Sequence, residues 1–266
     1  MPYRLGIIGC GQMAYAIAKG IYRNGNGKLN EIIINDINND RIELFKSEFN
    51  AKFQQLPELI AASDIVLLAV KPHQIAGVLD NTTQYWQNSQ LLISIAAGIP
   101  TKLIEEKIGN IPVVRTMPNT PCLVGMGVVA ISSGNFAEEK HIKYAEELFN
   151  NIAKCVIIEE NYMDAVTAIS GSGPAYLFLT VEALINAAVS IGIDNQMARL
   201  LVVETMKGSL ELLEKTGEHP AVLRDKVSSP GGTTIAAISE LESRGIRAAY
   251  FDAVQKAYQR AKELGK

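Results

Sequence analysis

The chain has 266 residues, 48% hydrophobic and 20% charged, a globular composition that is long enough for two domains. Its net charge of −3 gives no electrostatic reason to expect nucleic acid or an anionic membrane surface as a partner. Three widely spaced cysteines, Cys10, Cys122 and Cys155, suit a reducing compartment, and the sequence contains no Cys/His cluster typical of a metal site. The missing cluster means that we expect no metal. The first residues also lack the pattern of a signal peptide, and we therefore expect a cytoplasmic protein.

Short apolar strands alternate with helical stretches over residues 1–160. The predicted strands are Tyr3–Ile8, Ile32–Asn35, Ile65–Val70 and Leu91–Ile95, with weaker candidates at Val113–Val114, Val128–Ile131 and Val156–Ile158. A continuous apolar run such as Ile65–Val70 is typical of a parallel strand covered on both faces. This alternation predicts an α/β domain of the Rossmann type, with a parallel sheet wrapped by helices.

Strand signals stop after about Asn161. The later segments have apolar residues at spacings of three and four, which predicts helices at Ala183–Ile191, Gln196–Thr216, Thr233–Arg244 and Ile246–Leu264. Gly171–Pro174 should break the first helical stretch, and Thr216–Pro220 should separate later ones. We therefore predict a dinucleotide-binding domain over 1–160 and a helical domain over 161–266.

The apolar segment Pro174–Ile193 is long enough to span a bilayer, but Glu182 and Asn186 lie in its middle. A helix buried inside the protein or in a subunit interface is the better interpretation. We therefore expect no membrane partner. Several apolar helix faces lack an obvious partner among about 105 residues, which predicts a homodimer or a larger homo-oligomer.

The segment "GIIGCGQMA", Gly6–Ala14, contains Gly-x-Gly-x-x-Ala between a predicted strand and a predicted helix. In this context the motif indicates a dinucleotide site. Gly9 permits the tight turn, Gly11 lets the pyrophosphate approach the backbone, and Ala14 allows close packing of helix and strand. The alternative is a tight turn without a ligand.

Asp36 ends the second apolar strand, where a carboxylate hydrogen-bonds the ribose hydroxyls of NAD and repels the 2′-phosphate of NADP. This favours NADH. One alternative stays open: Asp36 points into solvent as a helix cap, and Arg41, the nearest basic residue, turns towards a phosphate.

Three further motifs follow predicted strand ends or lie in stiff loops. "AVKP", Ala69–Pro72, places Lys71 near a cofactor or substrate carboxylate, or simply in a solvated loop. "SIAAG", Ser94–Gly98, leaves room for a nicotinamide ring or serves tight packing. "RTMPNTP", Arg115–Pro121, holds the cleft in shape or has a purely structural role.

Taken in order, these motifs together with "ISGSGPAY" (Ile169–Tyr176) and "VSSPGGTT" (Val227–Thr234) resemble the pyrroline-5-carboxylate reductase family over essentially the whole chain. The last two are the most specific. The resemblance implies reduction of the cyclic imine 1-pyrroline-5-carboxylate to L-proline with NADPH or NADH, the last step of proline biosynthesis. It also implies a helical C-terminal domain that interlocks two subunits, in some members within a ring of five dimers.

The resemblance further implies site residues. The candidate cofactor contacts, with Asp36 included, are Gly9, Cys10, Gly11, Gln12, Met13, Ala14, Asp36, Ala69, Val70, Lys71, Pro72, Ala97 and Gly98. The candidate substrate contacts are Val227, Ser229, Gly231, Gly232, Thr233 and Thr234. Thr234 matches the threonine placed to bond the imine or amine nitrogen and is the candidate catalytic residue. Leu56 and Asp36 depart from the family pattern, which puts the usual NADPH contacts in doubt.

The residues at Val227–Thr234 suit this chemistry. A protonated imine is already electrophilic, so the protein needs to align it and anchor its carboxylate rather than supply a general acid. Gly231 and Gly232 expose N–H groups at the start of a predicted helix, a site for a carboxylate, and Ser228, Ser229, Thr233 and Thr234 add neutral donors. The structural alternative is an N-cap with a Pro-Gly turn.

Two other functions stay open. One is a related imine or β-hydroxyacid oxidoreductase; an active-site lysine of the 6-phosphogluconate-dehydrogenase-like group would fall in "SGSGPAYLF", which has none. The other is a nucleotide-binding protein without catalytic activity.

Overall fold

The computed structural model describes residues 3–24 and 29–265. Within these residues one sheet contains eight strands: β1 (Tyr3–Ile8), β2 (Leu29–Asn35), β3 (Lys52–Phe53), β4 (Ile65–Leu68), β5 (Leu91–Ser94), β6 (Val113–Pro118), β7 (Gly127–Ser133) and β8 (Ala153–Ile157). The helices among and after them are α1 (Gln12–Asn24), α2 (Asn39–Phe49), α3 (Leu56–Ala62), α4 (Pro72–Asp80), α5 (Thr101–Ile108), α6 (Glu139–Phe149), α7 (Met163–Val166), α8 (Gly173–Ser190), α9 (Asn195–Thr216), α10 (Pro220–Lys226), α11 (Thr233–Ser243) and α12 (Ile246–Leu264).

The strand order is β3-β2-β1-β4-β5-β6-β7-β8. Neighbouring strands are parallel except β6 and β7, which are antiparallel, so β7 and β8 run against the rest. The predicted Rossmann-type sheet is therefore confirmed. The order reverses between β1 and β4, and ligands of such sheets bind at the carboxyl ends of the strands at this reversal.

Strand β4 shows why its sequence is continuously apolar. Ile65 and Leu67 are buried in the core on one face of the sheet, and Val66 and Leu68 in the core on the other. Helices cover both faces of the parallel sheet, so alternate residues of a central strand never reach water. This confirms the interpretation of the run as a doubly covered strand, although the strand ends at Leu68 rather than Val70.

After Ile157 the described chain is helical, as predicted. Contacts divide the chain into two compact units: residues 1–174 with 257–266, and residues 175–256. The sequence places a boundary near Asn161, whereas contacts keep residues 161–174 with the sheet and also place the end of α12 there.

The segment Gly171–Pro174 does not break the helical stretch, which is a correction to the sequence prediction. A π-helical turn, Thr167–Gly171, follows α7 and leads through Ser172 into α8. The Ser172 N–H donates to the Thr167 carbonyl five residues back (2.9 Å), so the π-helical turn stays hydrogen-bonded past Gly171, and α8 begins at the residue after Ser172. A Cβ on Gly171 would lie 2.6 Å from Met117 Cε, which explains the need for glycine at this turn.

Helix α8 is not buried within its own chain, contrary to one of the two sequence interpretations. None of its residues is buried, and Phe178 and Leu179 are 68% and 69% exposed. The longer helical stretch Glu160–Ser190 is apolar and long enough to cross a membrane by length and composition alone. The subunit-interface interpretation stays a prediction, taken up below.

Gly6 on β1 tests how tightly the sheet packs. A Cβ there would lie 2.7 Å from Leu59 Cδ2 and would overlap the Ser63 hydroxyl, both on the side of α3. We expect Gly6→Ala to lower the free energy of unfolding by about 1–3 kcal/mol, because the buried space is already filled. Urea unfolding measures this change.

The matched control is Gly77→Ala on α4, where an added Cβ meets nothing within 4 Å. It should leave the urea midpoint unchanged or raise it slightly. Equal destabilisation by both substitutions would contradict the packing explanation.

Candidate active site

The turn after β1 lies against the end of β4. Gly9 has φ +94°, and a Cβ on it would lie 2.8 Å from both the carbon and the oxygen of the Ala69 carbonyl. Its N–H donates to the Asn35 carbonyl (2.8 Å), and the Ala69 N–H donates to the Ile8 carbonyl (2.8 Å). Only glycine fits this backbone conformation and this close approach together.

Gly11 faces open space. A Cβ on it would meet nothing within 4 Å, and helix α1 begins at the next residue. The first turn of α1 carries no acidic residue, so no carboxylate of the helix itself neutralises its N–H groups and positive end. Beneath it Ala14 is buried, 1% exposed, in the core between helix and sheet. The turn therefore has the geometry of a pyrophosphate site.

A cleft of about 410 Å³ lies at the reversal of strand order. Its predicted lining residues are Gly9, Gly11, Asp36, Ala69, Val70 and Lys71. Its other lining residues, which sequence reasoning did not assign as contacts, are Ile8, Asn35, Ile37, Leu56, His73, Gln74 and Val78. Apart from Ile8 and Asn35, these lie on α3, on α4 or just after β2, and only the strand order shows that they share one cleft.

The remaining predicted cofactor residues lie around this cleft. Cys10 is buried, Gln12 is exposed on the first turn of α1 and Met13 is half-buried there. Pro72 is the first residue of α4. Ala97 and Gly98 follow β5, next to β4 at the same carboxyl edge, but are not among the cleft residues.

Asp36 is engaged by the backbone rather than free in solvent. Its Oδ2 accepts the Cys10 N–H (2.5 Å) and its Oδ1 accepts the Asn38 N–H (2.8 Å). The N-cap of α2 is Asn38, whose side chain accepts from Asp40 and Arg41 N–H groups. The helix-cap alternative for Asp36 is therefore wrong. Each carboxylate oxygen can accept one further hydrogen bond. Because Asp36 lines the cleft and its side chain is held in place, these acceptor sites lie at the edge of the cleft.

Arg41 holds the same turn from its carbonyl side. Its Nε donates to the Cys10 carbonyl (2.6 Å) and Nη2 to the Gly11 carbonyl (3.1 Å). The guanidinium carbon lies 5.8 Å from the ring centroid of Tyr15 and 5.9 Å from that of Phe45, within cation–π range. The turn is thus hydrogen-bonded on both sides, with Asp36 on an N–H and Arg41 on two carbonyls.

Burial and then the Asp36 carboxylate raise the pKa of the Cys10 thiol to about 12, against the opposing influence of Arg41. The thiol therefore stays protonated at neutral pH and fills space in the turn. It supplies no nucleophile.

Arg115, in the "RTMPNTP" motif on β6, forms a buried charge network. It is 5% exposed, and its Nη1 and Nη2 reach Glu160 Oε1 (3.2 Å) and Asp164 Oδ1 (3.4 Å). Glu160 also accepts the Thr101 N–H (2.8 Å) and hydroxyl (2.7 Å) at the start of α5. The described geometry of Arg115 supports the structural alternative for this motif.

The candidate substrate segment Val227–Thr234 belongs to the second compact unit. Gly231 has φ +67°, and Gly232 is the N-cap of α11, with Thr233 and Thr234 as its first residues. The Gly232 N–H donates to the Ser229 carbonyl (3.0 Å) and its carbonyl accepts the Ala236 N–H (3.3 Å). For the N–H groups of residues 233–235, no acceptor is seen in the described part of the chain.

The hydroxyl side chains of this segment do not cap α11. Gly232 makes no side-chain cap, and in the described residues the Ser229, Thr233 and Thr234 hydroxyls have no hydrogen-bond partner. Ser228 differs, because its hydroxyl donates to the Arg224 carbonyl (2.8 Å) at the end of α10. The N-cap alternative therefore describes the backbone at Gly232, while Ser228 bonds the preceding helix and the other three hydroxyls have no structural task in the described residues.

Comparison with known proteins matches both parts of the chain. Residues 160–264 match the family described as pyrroline-5-carboxylate reductase dimerisation, and residues 4–98 match NADP oxidoreductase coenzyme F420-dependent. A pyrroline-5-carboxylate reductase from Synechocystis is 39% identical over 267 residues, covering 100% of both chains. The chain belongs to the pyrroline-5-carboxylate reductase family.

Solved structures of this family agree. A pyrroline carboxylate reductase from Plasmodium falciparum with NADP bound has a TM-score of 0.90 at 34% identity, covering 99% of this chain and 98% of that one. The enzyme from Coxiella burnetii has a TM-score of 0.89 at 34% identity and full coverage of both.

Arg41 provides a test of the cofactor turn. We expect Arg41→Met, which keeps an apolar side chain beside Tyr15 but removes the hydrogen bonds, to weaken NADH and NADPH binding equally, by about ten-fold. Titration of cofactor fluorescence measures both dissociation constants.

Lys46→Met, an exposed change on the same helix, is the control and should leave both constants unchanged. Loss of NADPH affinity alone would show instead that Arg41 binds the 2′-phosphate.

Proposed function

We propose that the chain reduces the C=N bond of 1-pyrroline-5-carboxylate with a nicotinamide cofactor, giving L-proline. Membership of the family, with full-length relatives, supports the reaction. The observation in this structure that carries the proposal is the start of α11. Free N–H groups and three unpartnered hydroxyls there form an uncharged site with the chemistry to bind a small carboxylate.

The cleft beside Gly11 fits a dinucleotide. The space beside Gly11 is open, and the start of α1 next to it carries positive character. Gly9, Gly11 and the first turn of α1 would hold the pyrophosphate, and Asp36 the adenosine ribose. When bound, the nicotinamide supplies the hydride.

The protein's own task is orientation. The segment Ser170–Phe178 has no lysine or histidine, which disfavours a β-hydroxyacid dehydrogenase with a lysine base. A protonated imine needs no protein acid. We assign Thr234 the task of holding the imine nitrogen by its hydroxyl, and Gly231, Gly232 and Thr233 that of binding the substrate carboxylate through N–H groups, with Val227 and Ser229 beside them.

The choice between NADH and NADPH depends on the two residues that follow β2, Asp36 and Ile37. The Asp36 carboxylate is fixed at the cleft, and Ile37, the next residue, is 91% exposed and carries no charge. A 2′-phosphate would approach a fixed negative charge, while ribose hydroxyls would find acceptors. We therefore propose that NADH is preferred, although a relative has been solved with NADP bound.

Self-association explains the exposed apolar helices of the second unit. Phe178, Leu179 and Ile191 on or after α8 are 68–79% exposed, as is Leu200 on α9 at 62%. Such surfaces are rare in monomers, and the match at 160–264 is to a dimerisation domain. We propose a homodimer as the minimal unit, working in the cytoplasm, where the free cysteines would stay reduced.

The first experiment follows oxidation of NADH and NADPH side by side, with pyrroline-5-carboxylate and with its six-membered analogue. We expect turnover of pyrroline-5-carboxylate and a higher kcat/KM with NADH. Asp36→Ser should raise the NADPH-to-NADH ratio of kcat/KM at least about ten-fold, because it removes the repelling charge.

Asp40→Ser, which removes a carboxylate from the first turn of α2, is the control and should not move that ratio. No oxidation with either cofactor would refute the enzyme, and a higher kcat/KM with NADPH in the unaltered chain would refute the role given to Asp36.

The second experiment concerns Thr234. Thr234→Ala should lower kcat about ten-fold or more, since one hydrogen bond to the reacting nitrogen is lost, and leave cofactor affinity nearly unchanged. Thr234→Ser keeps the hydroxyl and should retain most of the rate. An unchanged kcat in Thr234→Ala at saturating substrate would remove Thr234 from the mechanism.

A further inference from the structure

The loop between β5 and α5, Ile95–Pro100, is contacted by the end of α12. Gly98 in this loop is buried with φ +77°. A Cβ on Gly98 would lie 2.8 Å from Leu264 Cβ and 3.2 Å from the Gly265 nitrogen. In the other direction, a Cβ on Gly265 would overlap the Gly98 carbonyl oxygen. Two glycines thus allow the backbones of residues 98 and 265 to touch, with Leu264 against the turn.

The same loop is fixed at its far end by Glu160. The loop leads directly into α5, whose first residue, Thr101, is 3% exposed. Both oxygens of Glu160 accept from Thr101, one from its N–H and one from its hydroxyl. Arg115, buried behind them, holds the Glu160 carboxylate in turn (3.2 Å). A charged acceptor forms strong hydrogen bonds with the N–H groups at a helix N-terminus. The end of the loop at Thr101 therefore has little conformational freedom.

These two contacts come from opposite parts of the sequence. Glu160 precedes the second compact unit, and Leu264 follows it; both lie in the first unit together with the loop. The sheet itself does not require either contact, because β5 is already paired with β4 and β6. The loop follows β5 at the carboxyl edge, beside the strand whose end lines the cofactor cleft.

We propose that Glu160 and Leu264 are positioning residues, which hold the Ile95–Pro100 loop in the shape that binds the nicotinamide half of the cofactor. The proposal rests on the proposed function and on the contacts with the cofactor that the sequence predicts for Ala97 and Gly98. Neither residue touches the reaction. Each fixes a separate point of the loop, Gly98 by packing and Thr101 by hydrogen bonding.

The test compares NADH with ADP-ribose, which has the adenosine and pyrophosphate but lacks the nicotinamide. In Leu264→Ala and in Glu160→Gln, NADH affinity should fall about five- to ten-fold, because a loosened loop must be ordered when the nicotinamide half binds. ADP-ribose affinity should stay within about two-fold in both variants. Gly265→Ala breaks the Gly98 contact by adding an atom and should behave like Leu264→Ala.

Matched controls lie beside each position. Glu159→Gln changes an exposed neighbour of Glu160, and Glu263→Ala changes an exposed residue that pairs with Arg260. Gly77→Ala adds a Cβ where nothing is near. All three should bind NADH and ADP-ribose like the unaltered chain.

A loss of affinity for NADH alone supports the positioning role. Equal loss of affinity for NADH and ADP-ribose, or no loss of affinity for either, overturns it. Turnover of pyrroline-5-carboxylate by the unaltered chain tests the proposed function separately, because the affinity ratio is measured without substrate.

Discussion

The close approach of two backbones, at Gly9 and Ala69, is the constraint on which the cofactor end of the molecule depends. A side chain at Gly9 would separate β1 from β4 just where the strand order reverses. The paired strands stay in contact, and α1 begins at Gln12, directly after Gly11 at the rim of the cleft. The carboxyl ends of β1, β2 and β4 then supply one continuous rim.

The turn after β1 is fixed before any ligand arrives. Its N–H at Cys10 and its carbonyls at Cys10 and Gly11 are already bonded to Asp36 and Arg41. A loop held in its binding shape loses less conformational entropy when it binds, so more of the contact energy appears as affinity. The sequence predicted only a ribose contact or a helix cap for Asp36, and its hydrogen bond to the Cys10 N–H is visible only in the folded chain.

Much of the sheet could be predicted, because central parallel strands have continuously apolar sequences and the glycine motif marks the turn after β1. The two-residue β3 was missed, since Lys52 and Phe53 are exposed and carry no periodicity. The π-helical turn at Thr167–Gly171 also has no simple sequence pattern. The contacts of Arg41 and Glu160 join residues 31 and 59 positions apart, and only the folded chain reveals them. Apolar composition indicated that α8 is covered, within the protein or in a subunit interface, but could not show that none of its residues is buried in the described chain.

The buried sulfur of Cys10 has a consequence for how the site responds to oxidants. Oxidation of cysteine proceeds through the thiolate, and at a pKa of about 12 only about 10⁻⁵ of the thiol is ionised at pH 7. The side chain is also buried, with 0% exposure, so an oxidant in solution has no direct access to the sulfur. The sulfur therefore fills the turn as a neutral thiol, and we expect the geometry of the turn to be retained under mild oxidation.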